Sequence, residues 1–426
     1  MTDGASTVPA QGPATKGGFA RVGVATVLSA LCGYAVLYLA ARDLEPSGFS
    51  VFAVFWGAFG LLAGSANGLL QESTREVRQA QQVSAVDVGG VGGVGEGPRI
   101  HPMRVAVLVG AVAAVVAVGT SPLWSGHVFA EARLLSVGLL SAGLAGFCMH
   151  ATLLGVLAGA NRWSEYGSLI VGDAASRVAV ATVTFLVGWG LVGYLWATVA
   201  GSIAWFALLV ASPTARAAAR LLTPGTTMTF LRGASHSIAA AGASAILIMG
   251  FPVLLKATSQ DLGAAGGVVI LAVTLTRAPL LVPLNAMQGN LIAYFVDQRS
   301  ARLRALLRPT LLVVGFGVIA VPVAGLAGPW LLQFAFGPQY QAGGTLLAWF
   351  TAAAIAIALL TLTGAATVAA ALQGAYAVGW IGATLASTLL LLLPVSLETR
   401  TVVALMCGPL VGIAVHLGAL SRIPAP

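Results

Sequence analysis

Hydrophobic positions in this chain neither alternate nor recur on a single helical stripe; they come in unbroken stretches of 18 or more residues. A helix needs about 20 apolar residues to cross roughly 30 Å of hydrocarbon. Twelve segments meet that need: 21–40, 49–71, 104–123, 133–159, 165–188, 190–212, 234–256, 264–293, 309–332, 344–371, 373–394 and 401–419. The pattern predicts an all-α polytopic membrane protein with about 12 transmembrane helices and no strands. It excludes a β-barrel, whose strands alternate polar and apolar. The even count rests on a split at Gly188–Gly190 and on a span beginning at 234. An odd count would put the two ends on opposite sides.

Composition agrees with that pattern. Of 426 residues 58% are hydrophobic and 8% charged, against about 25% charged in soluble domains. A soluble enzyme and a disordered chain are both excluded. The net charge of +8 could suggest nucleic acid, but placement argues otherwise. With a cytoplasmic N-terminus, fifteen basic residues fall on one face and four (Arg42, Arg133, Lys256, Arg400) on the other, while Arg177 and Arg277 stay inside spans. That asymmetry is the positive-inside rule, so both termini are expected in the cytoplasm and no nucleic-acid partner is needed. Cys32, Cys148 and Cys407 all lie in apolar segments, a pattern without a disulfide framework or metal site. Residues 1–18 are polar and lack a signal-peptide pattern, so they are expected to be a disordered cytoplasmic tail.

Two internal loops are long. Residues 73–103 hold the run Val88-Gly-Gly-Val-Gly-Gly-Val-Gly95, and a basic loop after 213 falls near mid-chain. The halves resemble each other at an offset of roughly 215 residues. Leu157-Ala-Gly-Ala160 matches Leu372-Gln-Gly-Ala375, and Ala40-Ala-Arg-Asp-Leu44 has a looser counterpart in 256–262. Six spans separate the copies, so both enter the membrane in the same sense, as parallel repeats. The expected organisation is two six-helix lobes, 19–212 and 232–426, joined by a cytoplasmic linker at 213–231.

Charges inside spans are costly, about 2.5–3.5 kcal/mol each on insertion scales, so they carry the chemistry. Asp173 and Arg177 stand at i and i+4 on one helix face and can pair. Arg277 has no partner in its own span and lies about 20 Å into it. Pro279 and Pro283 follow, then Asn285, Gln288 and Asn290. An arginine beside helix-breaking prolines fits a span lining a wet cavity; the competing reading pairs it across helices with Glu72. Asn67 and His236 complete the cavity candidates. No P-loop or zinc-protease motif is present, because neither lysine follows a glycine and no histidine precedes a glutamate. No metal or cofactor is expected. Asp43-Leu-Glu45 keeps a multi-spanning glycosyltransferase as an alternative, although its loop is only about eight residues.

Three turns carry a family resemblance. Arg42-Asp-Leu-Glu-Pro-Ser-Gly-Phe-Ser-Val-Phe52, the segment 155–166, and Leu332-Gln-Phe-Ala-Phe-Gly-Pro-Gln-Tyr-Gln-Ala342 resemble turns of polysaccharide flippases in the multidrug/oligosaccharidyl-lipid/polysaccharide (MOP) exporter superfamily. The resemblance spans nearly the whole chain. It implies two lobes around a cavity lined by the first, second, seventh and eighth helices, with Arg277 facing it and Asp173–Arg177 inside the N-terminal lobe. It also implies a bacterial plasma-membrane transporter that moves a polyprenyl-pyrophosphate-linked glycan to the outer leaflet. Its partners would be that glycan, membrane lipids and polysaccharide polymerase or glycosyltransferase machinery. A multidrug or cation antiporter of the same superfamily is the other transporter reading. It would need a carboxylate in a cavity helix, and the first span has none.

The arginine asymmetry generates a topology test. In a background without native cysteines, a cysteine replacing Ala85 is expected to resist an impermeant thiol reagent in intact cells, and one replacing Ser259 to react. Labelling of both from outside would overturn the twelve-span reading.

Overall fold

The structure, a computed structural model, describes residues 16–87, 98–298 and 302–422. Of the expected tail, residues 1–15 fall outside the described residues, as does the glycine-rich run at 88–95. In chain order the first half contains α1 (Lys16–Asp43), α2 (Glu45–Asp87), β1 (Arg99–Ile100), α3 (Pro102–Val128), α4 (Arg133–Gly159), α5 (Trp163–Val187), α6 (Gly190–Ala200) and α7 (Ala204–Ala211), followed by the short α8 (Pro213–Ala219) and β2 (Thr223–Pro224). The second half contains α9 (Thr227–Ile248), α10 (Phe251–Ala257), α11 (Gly263–Ala286), α12 (Gln288–Asp297), α13 (Arg302–Phe336), α14 (Gly344–Ala369), α15 (Gln373–Leu391) and α16 (Leu397–Ser421). Among the described residues eleven helices are long and apolar enough to cross a membrane, with α6–α7 counted as one, and the bent pair α9–α10 supplies a twelfth.

Two contacts fix which loops share a side. β1 pairs antiparallel with β2, which brings the loop before α3 against the loop before α9; the expectation of no strands missed this two-residue ladder. It forms because two short extended segments meet where their peptide groups need partners. At the other end of the bundle Arg400 donates to the Thr258 carbonyl at 3.0 Å and to the Ser259 hydroxyl at 2.7 Å. Both pairings agree with an even number of crossings. The end bearing Arg75, Arg78, Arg99, Arg104 and Arg162 is called the basic end below.

Helix breaks follow local chemistry. The α9–α10 axis bends by 69° where Gly250 precedes Phe251 and Pro252, because a proline offers no N–H to the turn before it. α11 ends at Ala286 and α12 begins at Gln288, so the expected span 264–293 is divided beyond its two prolines. In the other direction α2 runs on to Asp87, where a loop from 73 was expected. At 43 residues it is about 65 Å long, and its polar last turns leave the bilayer still helical.

The internal repeat is present in the backbone, at a different register from the one the composition suggests. After α4, Asn161 is left-handed (φ 57) and the Arg162 N–H donates to the Leu157 carbonyl at 2.8 Å. After α14, Ala371 is left-handed (φ 60) and the Leu372 N–H donates to the Thr367 carbonyl at 2.9 Å. The true equivalents are Arg162 and Leu372, so the match of Leu157 to Leu372 is five residues out of step. The α1–α2 and α10–α11 turns also correspond: Glu45 and Gly263 are both left-handed (φ 54 and 48), each following a leucine.

The halves meet along two seams. α2 lies against α9 with glycines at the contact: a Cβ on Gly57 would come within 3.1 Å of the Met249 carbonyl oxygen, one on Gly64 within 2.7 Å of the Ala245 Cβ, and one on Gly68 would overlap the Ile238 backbone. At the end away from the basic one, edge-to-face ring contacts join the halves: Tyr38 to Phe336 (5.6 Å) and Phe49 to Tyr340 (6.2 Å). Toward the basic end the α1 positions Gly23 and Gly33 face open space.

A non-glycine residue in the left-handed region costs about 1–2 kcal/mol. Ala371→Gly is therefore expected to raise the thermal midpoint in detergent, a gain of about 1 kcal/mol. Ala371→Val should lower it. An unchanged midpoint in both would show that the turn is unstrained.

Candidate functional site

The central chamber is built from the four helices that line the junction of the halves. On α2, Phe49, Ala53, Trp56 and Gly60 recur at helical spacing and present one face. Ile248 and Met249 at the end of α9, with Phe251 and Pro252 opening α10, reach it because the bend turns them inward. α1 contributes Leu37, and α11 contributes Ile270, Val273, Thr274 and Arg277. The first, second, seventh and eighth crossings thus surround a chamber of about 90 Å³.

Arg277 is the cation of this chamber, and it is 7% exposed. Its guanidinium carbon lies 5.1 Å from the centre of the Phe251 ring, a cation–π contact. Its Nη2 has no hydrogen-bond partner among the described residues. Tyr34 on α1 is close enough to interact with it electrostatically. Glu72, the alternative cross-helix partner, is engaged elsewhere: it pairs with Arg75 at 2.5 Å and its carboxylate occupies the space a side chain at Gly233 would need. Among the described residues no ion pair reaches Arg277.

The other candidates are strung along the same route rather than gathered at the chamber. Asn67 on α2 is half-buried and stands five helical turns beyond Phe49 on the same face. Asn285 is exposed near the end of α11, about 12 Å beyond Arg277 at helical rise. Gln288 opens α12, but its side chain lies outside the described residues. His236 is exposed and its Nδ1 is 2.7 Å from the Arg232 carbonyl of its own helix. Residue-type reasoning overlooked Phe251, which holds the arginine. Gly250-Phe-Pro252 is the signal that marks it, since a break inside an apolar span brings a ring out of the helical ladder.

Asp173 and Arg177 sit elsewhere, inside the first half. Arg177 Nη2 donates to Asp173 Oδ1 at 2.9 Å and Nη1 to the Thr198 carbonyl at 2.6 Å. The guanidinium also lies 5.2 Å from the centre of the Phe59 ring. A side chain at Gly201 would collide with both charged groups, so that glycine on the 3-10 turn between α6 and α7 makes room for the pair. In the second half the equivalent position, Ser387, donates to the Ala404 carbonyl of α16 at 3.0 Å. Nearby His150 stacks on Phe147 with ring centres 5.1 Å apart. Asp43, at the end of α1, interacts with the Tyr194 hydroxyl, whereas Glu45 is exposed. Among the described residues no group of three or more His, Cys, Asp or Glu is placed to hold a metal ion.

No protein-family model matches the chain. It is 66% identical over 411 residues to the uncharacterized protein Rv3630 of Mycobacterium tuberculosis, covering 96% of this chain and 94% of that one. It is 64% identical over 424 residues to the uncharacterized protein Rv1510 of the same species, covering 100% and 96%. The chain belongs to the family of these mycobacterial proteins. Its fold is that of the MOP superfamily transporters. An inward-facing multidrug-resistance MATE transporter superposes with TM-score 0.69 at 13% identity, covering 92% of this chain and 94% of the other. A MOP transporter from Pyrococcus furiosus gives 0.63 at 15% identity over 96% and 99%. The outward-facing form of a MATE transporter gives 0.63 at 14% identity over 95% and 95%. Among the described residues, then, Arg277 is a buried arginine without an ion-pair partner at the junction between the two halves.

The ion pair of the first half has a stability consequence. Asp173→Asn leaves Arg177 uncompensated and is expected to cost about 3–5 kcal/mol, read as loss of folded protein in detergent. The double variant Asp173→Leu/Arg177→Met is expected to recover most of that loss. Failure of the double variant would show that the pair does more than neutralise itself.

Proposed function

We propose that the protein is a flippase for a lipid-linked oligosaccharide of the polyprenyl-pyrophosphate type, moving it from the inner to the outer leaflet of a bacterial plasma membrane for cell-surface polysaccharide synthesis. The basic end is the cytoplasmic one in this reading. The observation that carries it is the state of Arg277: a guanidinium held by a ring face, without a carboxylate, in a chamber between the lobes. A fixed cation with unused donors in a low-dielectric site selects an anion. A fork of parallel N–H groups suits the oxygens of a phosphate or pyrophosphate.

The volume bears on mechanism. About 90 Å³ is well below the roughly 300 Å³ or more of pockets that hold small ligands, so a glycan needs a wider arrangement of the lobes than this one. The head group would meet Arg277 after entering past Asn285 and Asn67, and the lobes must then part at the ring contacts of the opposite end. Alternating access of this kind is what a two-lobed transporter fold allows. The prenyl chain needs no chamber, since it can stay in the bilayer throughout.

The competing reading, export of organic cations, asks for a negative group in the chamber, and the lining residues include none. Pocket polarity varies within this fold: the Pyrococcus furiosus transporter is described as having a binding pocket of reverse polarity that suggests a different function.

Removing the arginine separates the roles. Arg277→Ala is expected to abolish flipping, read as accumulation of the lipid-linked sugar on the inner leaflet, while the protein is expressed and unfolds at or above the wild-type temperature, because a bare buried cation is removed. Arg277→Lys is expected to restore part of the activity, since an ammonium keeps charge and loses the fork. Full transport by a well-expressed Arg277→Ala protein would sink the reading.

A further inference from the structure

A second hollow, of about 650 Å³, lies between α1 and α5 at the basic end, well away from the central chamber. Both helices enter the bilayer from that end, so equal steps along each reach similar depth. Arg21 on α1 and Trp163 and Ser164 on α5 form its mouth, with Ser168 one turn deeper. The rest of the lining is apolar, Val24, Ala25 and Leu28 on α1 and Val171 on α5, with two glycines, Gly167 and Gly172. From Arg21 to Leu28 is about 10 Å at helical rise. Over that distance the lining changes from cationic and hydroxylic to purely apolar, as a leaflet does from head groups to upper chains.

The charge at the mouth comes from Arg21. Arg21 is exposed and has no ion pair among the described residues. The first turn of α5 carries Glu165, so the positive end of that helix has its own counter-charge and the arginine is the cation of the mouth. The deeper part is open sideways to the membrane: Val24 is 61% exposed, Leu28 45% and Val171 38%. Gly172 faces empty space. A free anion would satisfy the mouth and leave the apolar channel bare. A zwitterionic lipid would fill the channel and bring its own cation to the arginine.

We propose that this groove binds one anionic glycerophospholipid of the basic-end leaflet, with its phosphate against Arg21 and one acyl chain along Val24, Leu28 and Val171. Basic pockets between transmembrane helices are suited to such head groups. The lipid would bridge α1 to α5, and α1 carries Leu37 into the central chamber. It would therefore add to the contact between the cavity-lining helix and α5.

Native mass spectrometry of the full chain in detergent, titrated with phosphatidylglycerol, phosphatidylcholine and soluble glycerol 3-phosphate, tests this. One phosphatidylglycerol is expected to be retained in preference to phosphatidylcholine, and glycerol 3-phosphate is expected not to displace it. Arg21→Gln, at an exposed position that does not threaten folding, is expected to weaken retention by roughly fivefold, the worth of one basic residue at an anionic surface. Gly172→Leu, whose side chain enters empty space, is expected to weaken it as well while leaving the lipid-free unfolding midpoint unchanged. Equal retention of phosphatidylcholine, displacement by glycerol 3-phosphate, or unaltered retention in both variants would overturn the proposal.

Discussion

A bare charge in hydrocarbon must be neutralised, hydrated or expelled, and the layout of this protein follows from that requirement. Arginines that meet none of those conditions in the bilayer are placed outside it, so they gather at one end. Arg177 is neutralised by Asp173, shares the Thr198 carbonyl and leans on Phe59, with a glycine left bare beside it to make room. Glu72 is neutralised by Arg75 at the edge of the membrane. Arg277 is the exception among these: it has a ring face and an electrostatic neighbour in Tyr34 but no counter-charge among the described residues. Its position between the lobes is what makes the exception informative, because that is where a mobile anion could supply the missing charge.

The parts of the fold that were legible are those the bilayer itself enforces. A crossing must be continuously apolar, so all twelve crossings can be read from hydrophobic length, down to the turn at Gly188–Gly190. The features that were not legible are those the bilayer ignores. Residues 72–87 are helical but polar, and hydrophobicity reports contact with lipid rather than helicity. The repeat was found through leucine, alanine and glycine, which recur too often in membrane helices to fix a register; the hydrogen bonds of Arg162 and Leu372 fix it. At the site, spacing of four residues on one helix was enough to bring Asp173 and Arg177 together. Contacts between helices have no such ruler. Glu72 was as plausible a partner for Arg277 as any, and Phe251 could be recognised only through the break that turns it inward.

The glycines of α2 impose a restriction on movement. A Cβ at Gly68 would strike the Ser237–Ile238 backbone of α9, and one at Gly57 would press on the Met249 carbonyl and the Pro252 ring where α9 bends into α10. The separation there is already at its steric minimum, so the helices cannot be pressed closer. Pulling them apart would leave a narrow void that neither lipid tails nor side chains could fill. Sliding and parting are both costly along that line, whereas turning about it is cheap, since smooth surfaces have no interlocked ridges to disengage. Relative motion of the two halves is thereby restricted to turning about the α2–α9 line.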